Sequence, residues 1–225
     1  MNGMAALLQD LIAYGPQLLD GLGNTLLLTG VISLTGILGG IAVFYQTLSG
    51  NQICRKMTER YISFFIGTPL LVHLFLMYYG LPRLGVHLSP LVVSVIGFTL
   101  NVSAYNARHL MTAYNGLDRM EIEAARAQGF TPPEVFRLIT LPQALRFSVP
   151  SLTSQVIQNL KDTSVAFLVQ YPDFFAQMQE IASTNFAFLR VYVTAGLVYL
   201  ILVSAIVVAA RHLERRVFLP GFAVR

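Results

Sequence analysis

Long uncharged, largely apolar runs alternate along this chain with short polar connections. No Asp, Glu, Lys or Arg occurs from Gly21 to Cys54, from Tyr61 to Pro82, from Leu84 to Ala107 or from Val191 to Ala210. Each run meets or exceeds the roughly 20 residues that carry a helix across a bilayer core. A fifth stretch, Phe147 to Pro172, is uncharged apart from the adjacent pair Lys161-Asp162. The pattern predicts five transmembrane helices, over about 24–45, 61–79, 88–110, 147–169 and 191–210. Ahead of them Met4, Leu7, Leu8, Leu11 and Ile12 fall at helical spacing, followed by Gly15-Pro16. That spacing predicts a short interfacial helix lying on the outer surface. No basic segment precedes it, which argues against a cleavable secretory signal. Gly30, Gly36, Gly39 and Gly40 in the first span predict close helix packing, as small residues do in membranes.

The longest polar interruption runs from about Thr112 to Arg146 and has structure of its own. Glu121 to Gln128 (EIEAARAQ) is a strong helix former. Gly129 stands where a left-handed C-cap is expected. Thr131-Pro132-Pro133-Glu134 then opens a second helix, with Thr at the N-cap, Pro first and Glu third. Phe136, Leu138 and Ile139 continue it, and Leu141-Pro142 is expected to stop it.

Composition agrees with a membrane protein. Only 12% of the 225 residues are charged, against about 25% in a soluble domain, and the mean hydropathy is +0.62. A disordered chain is excluded, and an ordinary cytosolic enzyme is a poor fit. The net charge of +4 raises the question of nucleic acid, but the placement of the basic residues answers it. Arg55, Lys56 and Arg60 follow the first span; Arg108, Arg119, Arg126, Arg137 and Arg146 follow the third; Arg211, Arg215, Arg216 and Arg225 follow the fifth. The alternate connections hold only Arg83 and Arg190. Cytoplasmic loops are enriched in Lys and Arg, so the N-terminus is expected outside and the C-terminus in the cytoplasm, with no nucleic-acid partner. The one cysteine, Cys54, excludes an internal disulfide. With no tandem repeat or second soluble domain, residues 1–225 are expected to form a single all-α membrane domain.

The polar interruption carries a recognisable motif. Glu123-Ala124-Ala125, three residues, Gly129, nine residues, Ile139, one residue and Leu141-Pro142 resemble the EAA loop of membrane subunits of bacterial ABC importers. Gly23-Asn24-Thr25, Gly67-Thr68-Pro69-Leu70-Leu71-Val72, Tyr78-Tyr79-Gly80-Leu81-Pro82, Ala104-Tyr105, Lys161-Asp162-Thr163-Ser164 and Glu214-Arg215-Arg216 extend the resemblance to the polar amino acid permeases of histidine/glutamine type. The resemblance implies that residues 118–146 form a cytoplasmic coupling loop, in which Glu123, Ala124, Ala125, Gly129, Ile139, Leu141 and Pro142 serve docking on an ATPase. It implies an ATPase dimer, a second permease subunit, a periplasmic or surface amino-acid-binding protein and the lipid of the bacterial inner membrane as partners. ATP and Mg would belong to the ATPase, leaving this chain without a cofactor and without an enzymatic role. Two departures stand out: Ile66 occupies a position that is often Arg in that family, and Asn106-Ala107-Arg108-His109 follows Ala104-Tyr105 where an acidic residue and Arg are common.

The chain's own chemistry fits a transport role. It has no GxxxxGK[ST] phosphate loop, and His73, His87, His109 and His212 are scattered rather than clustered for metal. His73 is read either as a substrate contact or as a packed bystander. Lys161 and Asp162 are the charges set well inside a predicted span, and such charges usually face a bundle interior or an aqueous path. With Thr163 and Ser164 they form either part of a substrate path or a structural polar cluster. Thr68-Pro69 breaks the second span, because proline removes a donor and frees a carbonyl one turn earlier. Asn101 and Tyr105 share a helix face and are read as helix contact or substrate contact. The resulting expectation is a permease subunit of an ATP-driven amino acid importer; the rival is a small intramembrane enzyme or channel centred on Lys161-Asp162. Ile66 tips the expected second subunit toward a paralogue that keeps the arginine over a second copy of this chain, with Lys161 as a substitute cation.

Overall fold

In the hydrocarbon of a bilayer a backbone must satisfy its own hydrogen bonds, and for a single segment only a helix does so. Every regular element among the described residues is accordingly helical. The computed structural model describes residues 14–217, with side chains as far as His212. The surface helix expected around Met4–Ile12 and the side chains of Glu214, Arg215 and Arg216 lie outside that range.

Helix α1 spans Gly15–Thr47, so Gly15-Pro16 opens this helix. Proline is tolerated there because N–H groups in the first turn have no intrahelical acceptor. Helix α2 (Gln52–Gly67) starts on Asn51, whose side chain accepts the Ile53 N–H at 2.9 Å. Thr68 then turns extended (φ −116°, ψ 136°), and α3 (Leu70–Phe75) follows with a π turn at Leu76–Gly80 and a 3-10 turn at Leu81–Leu84. Helix α4 spans Pro90–Asn115, α5 Arg119–Ala127, α6 Pro132–Val135 and α7 Leu141–Asp162. A 3-10 turn at Thr163–Val169, α8 (Phe174–Asn185) and α9 (Phe188–Val217) complete the described chain.

Among the described residues three helices are long and apolar enough to cross a membrane: α1, α4 and the Phe188–His212 part of α9. Gln52–Gly67 with Leu70–Leu84 meets the same test only as a bent pair. The fourth predicted span corresponds to α7 and its 3-10 turn. It falls outside the long apolar set because Ser148, Gln155, Gln158, Asn159, Lys161 and Asp162 dilute it. Helix α8 is new relative to the sequence pattern, which places only a connection between the fourth and fifth spans.

The chain divides into two compact units. The first takes residues through Ser33, Leu70–Phe98 and Ile157–Val207. One of its cores joins Leu28 and Ile32 of α1 to Leu74, Val93, Phe98, Ala166 and Val169. A second joins Leu18 to Phe174, Met178 and Ile181 of α8 and Val191 and Ala195 of α9. The segment 171–174 is stapled to α1 by three hydrogen bonds. Asn24 Nδ2 donates to the Pro172 carbonyl (2.8 Å), the Tyr171 hydroxyl donates to the Asn24 carbonyl (3.2 Å), and the Phe174 N–H donates to Thr25 Oγ1 (3.0 Å). Gly21 permits this approach, since a Cβ there would lie 3.0 Å from Phe174 Cα and 3.1 Å from the Asp173 carbonyl oxygen.

The second unit takes Leu34–Pro69, Thr99–Val156 and the chain from Val208 on. Its cores are Phe44, Ile62, Ala107, Leu110 and Ala144, and Ile122, Ala125 and Val135 in the polar loop. Val102, Ser103 and Asn106 of α4 press on α1 where a Cβ at Gly36, Gly39 or Gly40 would sit. Thr35 and Thr99 share a 2.7 Å hydroxyl hydrogen bond in this unit. The space beside Gly30 is open, so the close packing expected there is not found.

Asp173 caps α8, its Oδ1 accepting the Ala176 N–H at 2.9 Å. Its Oδ2 is buried without a hydrogen-bond partner. Burial pushes the carboxyl up from 3.8 to about 6, against the opposing backbone hydrogen bond from Ala176. Folding therefore favours the protonated form. The stability this contributes is complete below the unfolded value and is lost as pH rises through about 6. At 1.36 kcal/mol per unit the loss is at most about 3 kcal/mol. Thermal unfolding followed by circular dichroism in detergent is expected to shift to lower temperature between about pH 4 and about pH 7. Asp173→Asn keeps the cap and should flatten that dependence; an unchanged slope in the variant would refute the assignment.

Candidate functional site

The polar loop is built by local rules that the sequence states openly. Helix α5 starts on Asp118, whose side chain accepts the Met120 N–H at 2.9 Å. It ends in a Schellman motif: the Phe130 N–H reaches the Ala125 carbonyl (3.2 Å) and the Gly129 N–H reaches the Arg126 carbonyl (3.0 Å). Gly129 takes φ +88°, a left-handed value that glycine adopts without a Cβ penalty. Thr131 then opens α6. Its N–H and hydroxyl both donate to Glu134 Oε2, at 2.8 and 2.6 Å, which hold the Glu134 carboxyl below its usual range.

The loop's side chains divide by face. Ala125 packs with Ile122 and Val135, and Ile139 leans on that cluster. Glu123, Ala124 and Gly129 are exposed, as are Met120, Phe130 and Leu138. Gln143 Nε2 donates to Glu121 Oε2 at 2.6 Å, tying α5 to the start of α7. Leu141-Pro142 does not stop the second helix as expected. A π turn at Phe136–Thr140 leads straight into α7, with the Leu141 N–H bonded to the Phe136 carbonyl five residues back. Pro142 then falls in the first turn of α7, where its missing donor costs little.

The break in the second predicted span is chemically closed. Pro69 has no N–H, so the carbonyl four residues earlier, that of Phe65, loses its helical donor. Asn101 Nδ2 supplies the replacement at 3.0 Å. One turn back, the Tyr61 hydroxyl donates to the Leu100 carbonyl at 2.7 Å. Asn101 is buried, and its amide joins α4 to the end of α2. Thr68 and Tyr105 are half-buried and Pro69 is exposed. Ile66 packs on the Phe44 and Ile62 core.

Lys161, Asp162, Thr163 and Ser164 lie in the other unit, where α7 tightens into the 3-10 turn. Gln158 Nε2 donates to Asp162 Oδ1 at 2.7 Å. Thr163 is buried and returns its proton to the Leu160 carbonyl (2.7 Å); Ser164 does the same to the Lys161 carbonyl (2.7 Å). Lys161 is exposed and forms no ion pair among the described residues. Adjacent positions thus differ in environment, as the roughly 100° between helix neighbours requires. His73 is buried in α3. Sequence reasoning missed the staple of Asn24, Thr25 and Tyr171. The signal for it was Asp173 after Pro172, a cap ahead of the amphipathic run that forms α8.

Comparison with known proteins places this architecture. Residues 23–219 match the family described as binding-protein-dependent transport system inner membrane component, and the chain belongs to that family. It is 35% identical over 195 residues to a probable amino-acid permease protein, YxeN, of Bacillus subtilis (strain 168), covering 85% of this chain and 87% of the relative. It is 38% identical over 192 residues to a probable amino-acid ABC transporter permease protein, PatM, of Vibrio harveyi, covering 82% and 84%. Among solved structures, one described as an amino acid ABC transporter with histidines superimposes with a TM-score of 0.84 at 27% identity, over 92% of this chain and 97% of that one.

Asn101→Leu removes the donor on the Phe65 carbonyl while keeping the volume. An orphaned buried acceptor costs about 1–3 kcal/mol, so the variant should unfold at lower temperature in detergent. Pro69→Ala in the same background should restore part of the loss by returning an N–H to that carbonyl. Equal melting of Asn101→Leu and the unaltered protein would show that the contact is not needed.

Proposed function

We propose that this chain is the membrane-embedded permease subunit of an ATP-driven importer of amino acids in the bacterial inner membrane. Five spans, with the N-terminus outside and the C-terminus in the cytoplasm, form half of the translocation path. The observation that carries the reading is the polar loop. Its buried side, Ala125 with Ile122 and Val135, holds a fixed shape, while Met120, Glu123 and Ala124 face outward from α5. An outward face on a helix pinned by a Schellman turn and a capping box suits docking in a cleft of an ATPase subunit. Glu123 and Ala124 make the contact; Ala125, Gly129, Ile139, Leu141 and Pro142 set its shape. ATP and Mg are bound and used by the ATPase dimer, whose motion the loop transmits to the spans as alternating access. A rival centred on Lys161-Asp162 as an intramembrane enzyme or channel leaves this face without a purpose. The substrate path runs by Lys161, Asp162, Thr163 and Ser164 and by the break at Thr68-Pro69, with Tyr105 nearby in sequence to Asn101. A periplasmic or surface binding protein delivers the amino acid.

The coupling role is tested at the bend. A β-branched residue at φ +88° costs about 1–3 kcal/mol in backbone strain. Gly129→Val is therefore expected to leave membrane insertion intact while weakening co-purification with the ATPase and lowering uptake. Full uptake with normal ATPase association would overturn the role given to this turn.

The second permease subunit is a paralogue that keeps the arginine missing here. A guanidinium holds a carboxylate bidentately in a way other side chains do not reproduce, and Ile66 is committed to an apolar core. Co-expression with the ATPase alone should give a complex without amino-acid-stimulated ATP hydrolysis, and adding the paralogous subunit should restore it. Substrate-stimulated hydrolysis with this chain as sole permease subunit would establish a homodimer instead.

A further inference from the structure

Helix α2 carries an apolar stripe that none of the described residues covers. Ile53, Met57 and Phe64 are 72%, 65% and 53% exposed. At roughly 100° per residue they fall within about 40° of one another. The opposite side of the helix is the buried one, where Ile62 packs with Phe44 and Leu110 and Thr58 donates to Gln46 Oε1 at 3.3 Å. Beside the stripe stand Lys56 and Arg60, both exposed and one turn apart on a shared face. Arg55 and Glu59 neutralise each other at 3.9 Å. Glu59 is the one acidic residue of α2, and Lys56 and Arg60 form no ion pair among the described residues. Like charges at this spacing oppose each other on a helix, so the pair is completed by an anion from outside the chain.

We propose that this face of α2 is a docking site for an anionic phospholipid of the cytoplasmic leaflet. The second predicted span begins at about residue 61, so the first turns of α2 stand at headgroup level. Lys56 and Arg60 take the headgroup phosphate, their stems lying along apolar surface while the charges reach outward. The acyl chains run along Met57 and Phe64. A phospholipid presents its anion and its hydrocarbon in the same order in which α2 offers cations and then an aromatic ring. Amphipathic helices that bind anionic bilayer surfaces combine the same two elements. A zwitterionic lipid has the phosphate too, but its own ammonium competes for it, so the two cations select a headgroup of net negative charge. The bound lipid fixes the depth of α2, and with it that of the break at Thr68, roughly 12 Å along the helix from Arg60.

The chain contains no tryptophan, so Met57→Trp places a single fluorophore on the stripe. Phe64→Trp is a second probe that keeps an aromatic ring. The full-length protein is reconstituted in vesicles of phosphatidylcholine and phosphatidylglycerol in equal parts, with one or the other brominated in its acyl chains. Quenching then reports which lipid lies against the probe. Both probes are expected to select phosphatidylglycerol by at least about 5-fold, the worth of one basic side chain at an anionic surface. Lys56→Gln together with Arg60→Gln should bring selection to parity while both lipids still quench. Leu200→Trp, at an exposed position in the uncharged run 191–210, should show no selection. Parity at the stripe probes, selection that survives loss of both cations, or equal selection at Leu200 overturns the proposal. So does a stripe that neither lipid quenches, the result given by a protein surface covering it.

Discussion

A bilayer offers a backbone carbonyl no water, and the fold is organised around that shortage. The clearest instance is the Phe65 carbonyl. Pro69 takes away its helical donor, and the Asn101 side chain returns one from α4 at 3.0 Å. Without that exchange the bend at Thr68-Pro69 would leave a polar group unsatisfied, at a cost of several kcal/mol in hydrocarbon. A helix break within an apolar run therefore implies a polar side chain on a neighbouring helix, and the two residues are best understood as a pair.

The same accounting explains the segment 171–174, where the chain leaves helical geometry altogether. Its backbone groups are taken up by Asn24 and Thr25 of α1, and the Tyr171 hydroxyl reaches back to the Asn24 carbonyl. Gly21 clears the space. Asp173 is the residue left with a remainder, since one oxygen caps α8 and the other has no partner. A carboxyl in that position is best kept neutral, which is the physical origin of its raised proton affinity.

Local chemistry was legible in the sequence, and tertiary chemistry was not. Gly129 as a left-handed cap, and Thr131 with Pro132 and Glu134 as a helix start, each depend on residues within five positions, and each stands where the spacing places it. Leu141-Pro142 misled because proline breaks a helix only where a donor is needed; the π turn moves Pro142 into a first turn, where none is. Gly30 and Gly36 look alike in sequence, yet only Gly36 has a neighbour pressing on it, because which face of α1 meets α4 is decided by the whole bundle. Helix α8 was invisible for a related reason. Its apolar face, Phe174, Met178 and Ile181, is shorter than a span and became readable only once Leu18 and Val191 closed over it.

What remains for function is what the structure leaves unspent. Thr163 and Ser164 read from sequence as free hydroxyls, but both donate to carbonyls one turn back, and Asn159 donates to Ser33 at 3.0 Å. Asn101 is committed to Phe65. Asp162 shares its charge with Gln158. Subtracting these leaves Lys161 exposed among the polar groups of its segment, and the outward face of α5 in the polar loop. A charge within an apolar segment is costly, and here the neighbouring Asp162 carboxylate offsets part of that cost.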